Sequence, residues 1–409
     1  MTHDQVDITA VGARSAGNAD DATARAIDTA ADVPDAGVRA APGTLPASAP
    51  ASLPVLRVGL IGYGSASKIF HAPLVGTTPG LLLSAVSSSD AAKVHADLPD
   101  VTVDATPEAL LARADLDLVI IPTPNATHYP LALAALQQGK HVVVDKPFTL
   151  TLAEAEHLAA VAAERRLLLT VFHNRRWDAD FLAVRKLVRS GELGRISVFE
   201  STFPYYRPEP RDRWRERANE GGGLWNDLGP HLVDQALQLF GMPQGIYLDA
   251  QPLREGAQVD DYFTAILRYA DMRAILRVNA SAGLPAPRFV VQGTLASYSK
   301  FGIDGQEDAL RAGQRPGPGW GHDPIVGGLR RHADGKTLPY PSPPGDYPAF
   351  YASVRDALRS RATHQHADAG APMPVAAVDL PGALAVVAVL DAGRASLAAR
   401  AEQPCHAPG

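Results

Sequence analysis

The sequence predicts an α/β fold in two parts: an N-terminal doubly wound parallel sheet, then an α+β domain on an open, mostly antiparallel sheet. Three observations predict it. From Val55 to Val171, short apolar runs alternate with helix-patterned stretches. Apolar strands separated by helices form parallel sheets covered on both faces. The first run ends in a glycine-rich turn, Gly62 to Ser67. Beyond Trp177 helices become scarce and strand-like segments follow one another, which suits an antiparallel sheet.

The elements follow in order. Val55–Ile61 is the first strand, and a helix begins near Lys68. Leu81–Ser87 and Val101–Val103 are the second and third strands. Leu118–Ile121 is the fourth and leads into Pro122–His128. A helix over Tyr129–Gln138 stops at Gly139, since glycine ends helices readily. His141–Val144 is the fifth strand, Leu152–Glu164 a helix, and Leu167–Val171 the sixth strand. In the second part Ala179–Arg189 reads as a helix and Ile196–Phe203 as a strand. One helix is expected over Asp227–Phe240. Strands are expected at Ile246–Leu248, Asp261–Tyr269, Ala274–Ala280, Phe289–Gly293 and Tyr298–Phe301. The Gly- and Pro-rich stretch 311–345 reads as a long loop. Helices at Ala349–Arg359 and Pro381–Ala399 close the chain. The expected divisions are 54–174, 175–380, and a C-terminal helix and tail at 381–409.

The chain has 409 residues and a net charge of −6. Residues 1–54 hold seven acidic and three basic residues and so supply most of that charge. No basic stripe exists, so nucleic acid and anionic membranes are not expected partners. Cys405 is the only cysteine. That excludes an internal disulfide and a cysteine metal cluster, and it fits a cytoplasmic location. The densest apolar stretch near the C-terminus, Ala383–Leu390, is broken by Asp391 and is too short to span a bilayer. The N-terminus lacks the basic start and apolar stretch of a secretory signal. Residues 1–53, rich in Ala, Asp, Pro and Ser, read as a disordered extension. The alternative is a start codon placed too early, with the protein beginning near Leu53.

Gly62-Tyr63-Gly64-Ser65-Ala66-Ser67 follows an apolar strand and precedes a helix. It matches G-x-G-x-x-G except at Ser67. In this context the first glycine makes the turn and the second admits a pyrophosphate, which sits at the helix N-terminus. Gly62, Tyr63, Gly64, Ser65 and Ser67 are therefore candidate dinucleotide contacts in a Rossmann-type domain. A plain strand-helix turn is the bland alternative. The second strand ends Ser87-Ser88-Ser89-Asp90. NAD enzymes usually place a carboxylate at that tip for the ribose 2′-hydroxyl. Serines accept a 2′-phosphate without repulsion, and Lys93 is near. Ser88 and Ser89 thus favour NADP, with NAD as the alternative if Asp90 bends back.

Lys146 follows the fifth strand and precedes Pro147. At the C-terminal edge of a parallel sheet it points into the cofactor crevice. Its charge would stabilise a developing alkoxide; otherwise it is a surface lysine. Asp227 and His231 stand at i, i+4, on one helix face. His231 is the preferred general base, because its ordinary pKa lies near neutrality. Asp227 can bond a substrate hydroxyl or orient the imidazole. An N-capping aspartate and a packed histidine are the alternative, and without nearby cysteines a metal site is not expected. The Gly221–Gly223 run suggests close approach of a ligand. Thr123, Pro124, Asn125 and His128 should border the nicotinamide, although Asn125 could cap a helix instead. Asn174, Arg175 and Arg176 follow the sixth strand at the same edge, as substrate contacts or as a domain joint. Arg211-Asp212-Arg213-Trp214-Arg215 could cover the cleft or face solvent.

Together GYGSAS, IPTPNATH, VVVDKPF and GGGLWNDLGPH resemble the Gfo/Idh/MocA oxidoreductase family, over about Leu56 to Ala399. The family's usual Glu-Lys-Pro reads Asp145-Lys146-Pro147 here. The resemblance implies a Rossmann domain with Asp145 beside the cofactor. It implies a mostly antiparallel α/β domain, often oligomerising through its open sheet, so a homo-oligomer is expected. It also implies Lys146, Asp227 and His231 as the catalytic set. IFHAPL, VVVDKPF and FHNRRWD are similar to a branch with NADP-dependent inositol dehydrogenases. The expected activity is hydride transfer between a nicotinamide and a secondary hydroxyl of a small cyclic polyol or sugar. A non-catalytic NAD(P)-binding sensor is the alternative, and retention of all three polar residues argues against it.

Overall fold

The computed structural model describes residues 54–218, 221–364 and 374–408. The extension expected over residues 1–53 lies outside them. Six strands form the first sheet: β1 (Leu56–Ile61), β2 (Leu81–Ser87), β3 (Thr102–Asp104), β4 (Leu118–Ile121), β5 (His141–Val144) and β6 (Leu169–Val171). All are parallel, in the order β3-β2-β1-β4-β5-β6. The direction of winding reverses between β1 and β4, which opens a crevice at the C-terminal strand ends. Every β4 residue is buried, as a strand covered on both faces requires. The covering helices are α1 (Ala72–Gly76), α2 (Ala91–His95), α3 (Pro107–Leu111), α4 (His128–Gln137) and α5 (Leu152–Glu164). Thr151 and Glu154 form a reciprocal cap that starts α5. The helix expected from Lys68 begins as a wider π-type turn, Ser67–His71. Pro73 has no N–H to return a regular bond to the residue four earlier.

The second part runs α6 (Ala179–Ser190), β7 (Ile196–Phe203), α7 (Leu224–Asp227), α8 (Gly229–Phe240), β8 (Gly245–Gln251), β9 (Tyr262–Arg268), β10 (Arg273–Asn279), β11 (Pro287–Gly293) and β12 (Ala296–Phe301). It continues with α9 (Gln306–Arg311), β13 (Gly327–Arg331), β14 (Thr337–Tyr340), α10 (Pro348–His364), α11 (Leu380–Ala399) and β15 (Gln403–Pro404). Among the described residues nine strands make one sheet, β14-β13-β12-β11-β7-β10-β9-β8-β15. Only β7 and β10 pair in parallel. Buried and open positions alternate along β9 and β10, so one face packs on the core and the other is open. Tyr247, Ile266 and Ile275 stand in register across that open face.

Two expectations change. The single helix over Asp227–Phe240 breaks at Leu228 into α7 and α8. Pro230 enforces the break, since it offers no N–H and its ring crowds the preceding turn. The loop expected over 311–345 contains the hairpin β13-β14. Its strand signal is hidden by Gly327 and Gly328. A Cβ at Gly327 would sit 2.4 Å from the Tyr298 hydroxyl, so the glycine is a packing requirement. The helix expected over Pro381–Ala399 is present as α11, and it packs into both cores. Ala383, Leu384 and Val387 of α11 join the first core, while Val386, Val389 and Leu390 join the second. By length and composition α11 is apolar enough to cross a membrane, with mean hydropathy 1.5, but half of that stretch is buried inside the protein.

Candidate active site

The C-terminal edge of the first sheet gathers the candidate residues. Gly62 has φ +84°, a conformation glycine adopts without strain. The Ser67 hydroxyl donates to the Gly62 carbonyl at 2.8 Å and is fully buried. The serine in place of the third glycine therefore braces the turn from within; its side chain is not offered to a cofactor. Gly64 and Ser65 form the exposed lip. A Cβ built on Gly64 meets no atom within 4 Å, and no side chain caps the helical turn at Ala66. Open space beside free N–H groups fits a pyrophosphate. The Tyr63 hydroxyl donates to Asp97 at 3.1 Å. Burial, then the Asp97 carboxylate, pushes that phenol up to about 12. Tyr63 thus serves the turn with its backbone alone.

At the β2 tip the Ser88 hydroxyl accepts from the Asp90 N–H at 3.1 Å and donates to its carbonyl at 3.2 Å. Asp90 caps α2, accepting from the Lys93 N–H at 2.9 Å. The Asp90 carboxylate is thereby engaged, and Ser89 is exposed.

The loop after β4 is tied to its neighbours. Thr127 donates to the Thr123 hydroxyl at 2.6 Å, and Thr123 and Pro124 stay partly exposed at the crevice. Asn125 donates to the Gly221 carbonyl at 2.9 Å, so it bridges to the glycine run and caps no helix. His128 is enclosed, its ring nitrogens 2.8 and 2.9 Å from the carbonyls of Pro147 and Thr123. Burial lowers its pKa. It links two loops and offers no free nitrogen to a cofactor. Asp145 accepts from the Lys146 N–H at 2.7 Å. Burial would raise its carboxyl, but His71, Lys146 and His128 hold it well below the usual carboxylate range.

Lys146 and Asp227 meet across 81 residues of sequence. The ammonium donates to Asp227 Oδ1 at 2.6 Å and to its carbonyl at 2.7 Å. Arg215 Nε lies 3.5 Å from the same oxygen. Burial would raise the Asp227 carboxyl, but Lys146 and Arg215 hold it at about 2. His231 lies in the first turn of α8, 5% exposed. Its Nδ1 is enclosed without a protein partner among the described residues. Burial, then the charges of Lys146 and Arg175, push its pKa well below 6.5. No hydrogen bond joins Asp227 to His231 among the described residues; the two stand on separate helices, α7 and α8, divided at Leu228. The arrangement offers an ionised carboxylate, a cation bonded to it, and a neutral imidazole.

Three neighbours differ from expectation. Arg175 donates to Glu307 at 2.5 Å and Asp178 at 3.3 Å. Arg176 grips Asp234 through Nε and Nη2, the shortest contact being 2.6 Å. Both guanidinium groups are buried, as is Asn174. The two arginines join the two parts of the fold through these carboxylates, and their burial leaves little surface for a substrate. His173 was passed over within the same run. It is 2% exposed, neither ring nitrogen has a protein partner among the described residues, and burial pushes it down to about 4. Beside Asp227, Tyr205, Arg213, Arg215, Arg254 and Asp260 line a pocket. Arg213 is matched by Glu216, and Arg254 by Glu216 and Asp261. Arg215 shares Asp227 with Lys146 and stacks on Trp214, 4.3 Å from the ring centre.

Residues 56–173 match the model of an oxidoreductase family with an NAD-binding Rossmann fold. Residues 181–299 match the Gfo/Idh/MocA C-terminal domain. The chain belongs to the Gfo/Idh/MocA oxidoreductase family. Within that family it is 51% identical over 306 residues to the uncharacterized oxidoreductase YdgJ of Escherichia coli, covering 74% of this chain and 88% of YdgJ. It is 39% identical over 327 residues to the NADP-dependent scyllo-inositol 2-dehydrogenase IolW of Bacillus subtilis, covering 79% of this chain and 89% of IolW. A solved structure from Yersinia pestis superposes with a TM-score of 0.79 at 48% identity, covering 87% of this chain and 99% of that one. The chain is thus an NAD(P)-binding oxidoreductase.

Proposed function

We propose that the protein reversibly oxidises a secondary hydroxyl of a cyclic polyol or sugar, with NADP as the preferred coenzyme. The 2.6 Å contact of Lys146 with Asp227 carries this reading. It joins a cation from the nucleotide domain to a carboxylate from the second domain, beside His231. When bound, the nicotinamide accepts hydride from the alcohol carbon. His231, neutral at working pH, takes the hydroxyl proton. The Lys146 ammonium stabilises the negative charge that develops on the hydroxyl oxygen before it becomes the carbonyl oxygen, and Asp227 holds Lys146 and accepts from a neighbouring hydroxyl. IolW, named for scyllo-inositol and NADP, supports the substrate class and coenzyme. The test is steady-state turnover of inositols and aldoses with both coenzymes. Tight NADPH binding with no turnover of any of them would favour a sensor.

Engagement of Asp90 in capping α2 supports the coenzyme choice. NADP should give the higher kcat/KM. Ser88→Asp should move the NADP-to-NAD ratio about tenfold toward NAD, the effect of roughly 1.4 kcal/mol of repulsion on a 2′-phosphate. A wild-type preference for NAD overturns the assignment.

We further propose a homo-oligomer built on the open face of the nine-stranded sheet. Tyr247 and Ile266 are exposed there, 42% and 36%, and exposed apolar patches mark contact surfaces. Ile266→Glu should shift sedimentation to the monomer. A wild-type protein that sediments as a monomer at micromolar concentration refutes this.

A further inference from the structure

Arg394, on α11, touches both segments that carry the reacting pair, the loop after β5 and helix α7. Its Nη1 donates to Asn226 Oδ1 at 3.0 Å, and its Nη2 donates to the Leu150 carbonyl at 2.7 Å. Asp391, one turn earlier on α11, pairs with the same guanidinium. The other Asp391 oxygen accepts from the Leu152 N–H at 2.6 Å. Leu150 lies just beyond Lys146, and Asn226 immediately precedes Asp227. Asn226 in turn donates to the carbonyls of Gly221 and Gly222 at 3.3 and 3.1 Å. Asn125 reaches the Gly221 carbonyl from the nucleotide domain. These hydrogen bonds flank the Lys146–Asp227 contact and tie the chain on both sides of it to α11.

That contact does not fix its own geometry. A lysine is a point charge on a flexible four-carbon stem. Its distance and direction to Asp227 follow from where the β5 loop and α7 sit. A planar guanidinium can hold two carbonyl-type acceptors at once in fixed directions, which an ammonium does poorly. The Asp391 and Arg394 side chains are about one-third exposed, 32% and 33%. Partly exposed ion pairs contribute little to folding, so a stability role does not account for this arrangement.

We propose that Arg394 is a positioning residue for the reaction: from outside the cleft it sets the separation of Lys146 and Asp227. This rests on the reading of those two side chains as the reacting set. The test compares wild type with Arg394→Ala, Arg394→Lys and Lys146→Ala. It measures kcat, substrate KM, NADPH dissociation by fluorescence, and melting temperature. Arg394→Ala should lose roughly 10²-fold in kcat, since a displacement of about 1 Å has that effect. Its NADPH dissociation constant and melting temperature should stay near wild type. Added guanidinium ion should restore part of the lost rate, and Arg394→Lys should recover less than that. Normal kcat in Arg394→Ala, while Lys146→Ala loses rate, overturns the positioning role alone. A rate loss that tracks loss of folded protein and resists guanidinium overturns it too. A wild-type protein that turns over no polyol or sugar removes the functional reading and this role with it.

Discussion

His231→Ala is expected to lower kcat by roughly 10²–10⁴-fold, the usual worth of positioned proton transfer, and to leave NADPH affinity near wild type. The two effects separate because His231 belongs to α8 of the second domain, while the dinucleotide turn belongs to the first. Burial and Lys146 hold the imidazole pKa well below 6.5. The sign follows: above that depressed value the free enzyme carries a neutral base, ready to accept the hydroxyl proton. The acid limb of kcat/KM for oxidation should therefore lie below pH 6.5, and His231→Ala should abolish it. If His231 were merely packed, its removal would lower the melting temperature while the surviving folded enzyme kept near-normal turnover. Normal kcat in folded His231→Ala protein, or an acid limb above pH 6.5, would show that another group takes the proton.

Much of the fold was legible because apolar runs and glycine punctuation dictate it. β4, β5, α5 and β7 fall where the sequence places them, and β2 agrees to the residue. The chemical residues were legible where sequence neighbours also neighbour the site, as at Lys146 and Asp227. What stayed hidden depends on the other half of each contact. Nothing near Arg176 announces Asp234, 58 residues away, so a buried ion pair looked like a substrate contact. His128 looked available because the Pro147 and Thr123 carbonyls that enclose it come from two loops. Arg394 gave no signal, since its acceptors lie 168 and 244 residues away. Pro230 was readable as a helix breaker, but the apolar period running through it suggested one continuous helix.

Asp234→Ala is expected to cost on the order of 3–5 kcal/mol, the penalty for stranding a buried charge. The pair it breaks is 4% and 3% exposed. Asp234 takes two hydrogen bonds from Arg176 Nε, at 3.1 and 2.9 Å, and one from Nη2 at 2.6 Å. Arg176 also donates to the Ala377 carbonyl at 3.0 Å, and the more distant Asp379 is the carboxylate left to act on its charge. The damage should reach the site, because Asp234 stands one turn beyond His231 on α8. Gln235 helps anchor that helix: it donates to the Arg175 carbonyl at 2.9 Å and accepts from Arg288 at 2.7 Å. Asp234→Ala should therefore lower the urea midpoint and reduce kcat together. Arg176→Met combined with Asp234→Leu should recover most of the lost stability, since an apolar pair of similar volume often replaces a buried ion pair at little cost. Whether activity returns in that double variant measures how far α8 depends on packing alone. A loss below about 1 kcal/mol in Asp234→Ala, the range of exposed pairs, would mean that water reaches Arg176 and that this joint is not the rigid one its burial implies.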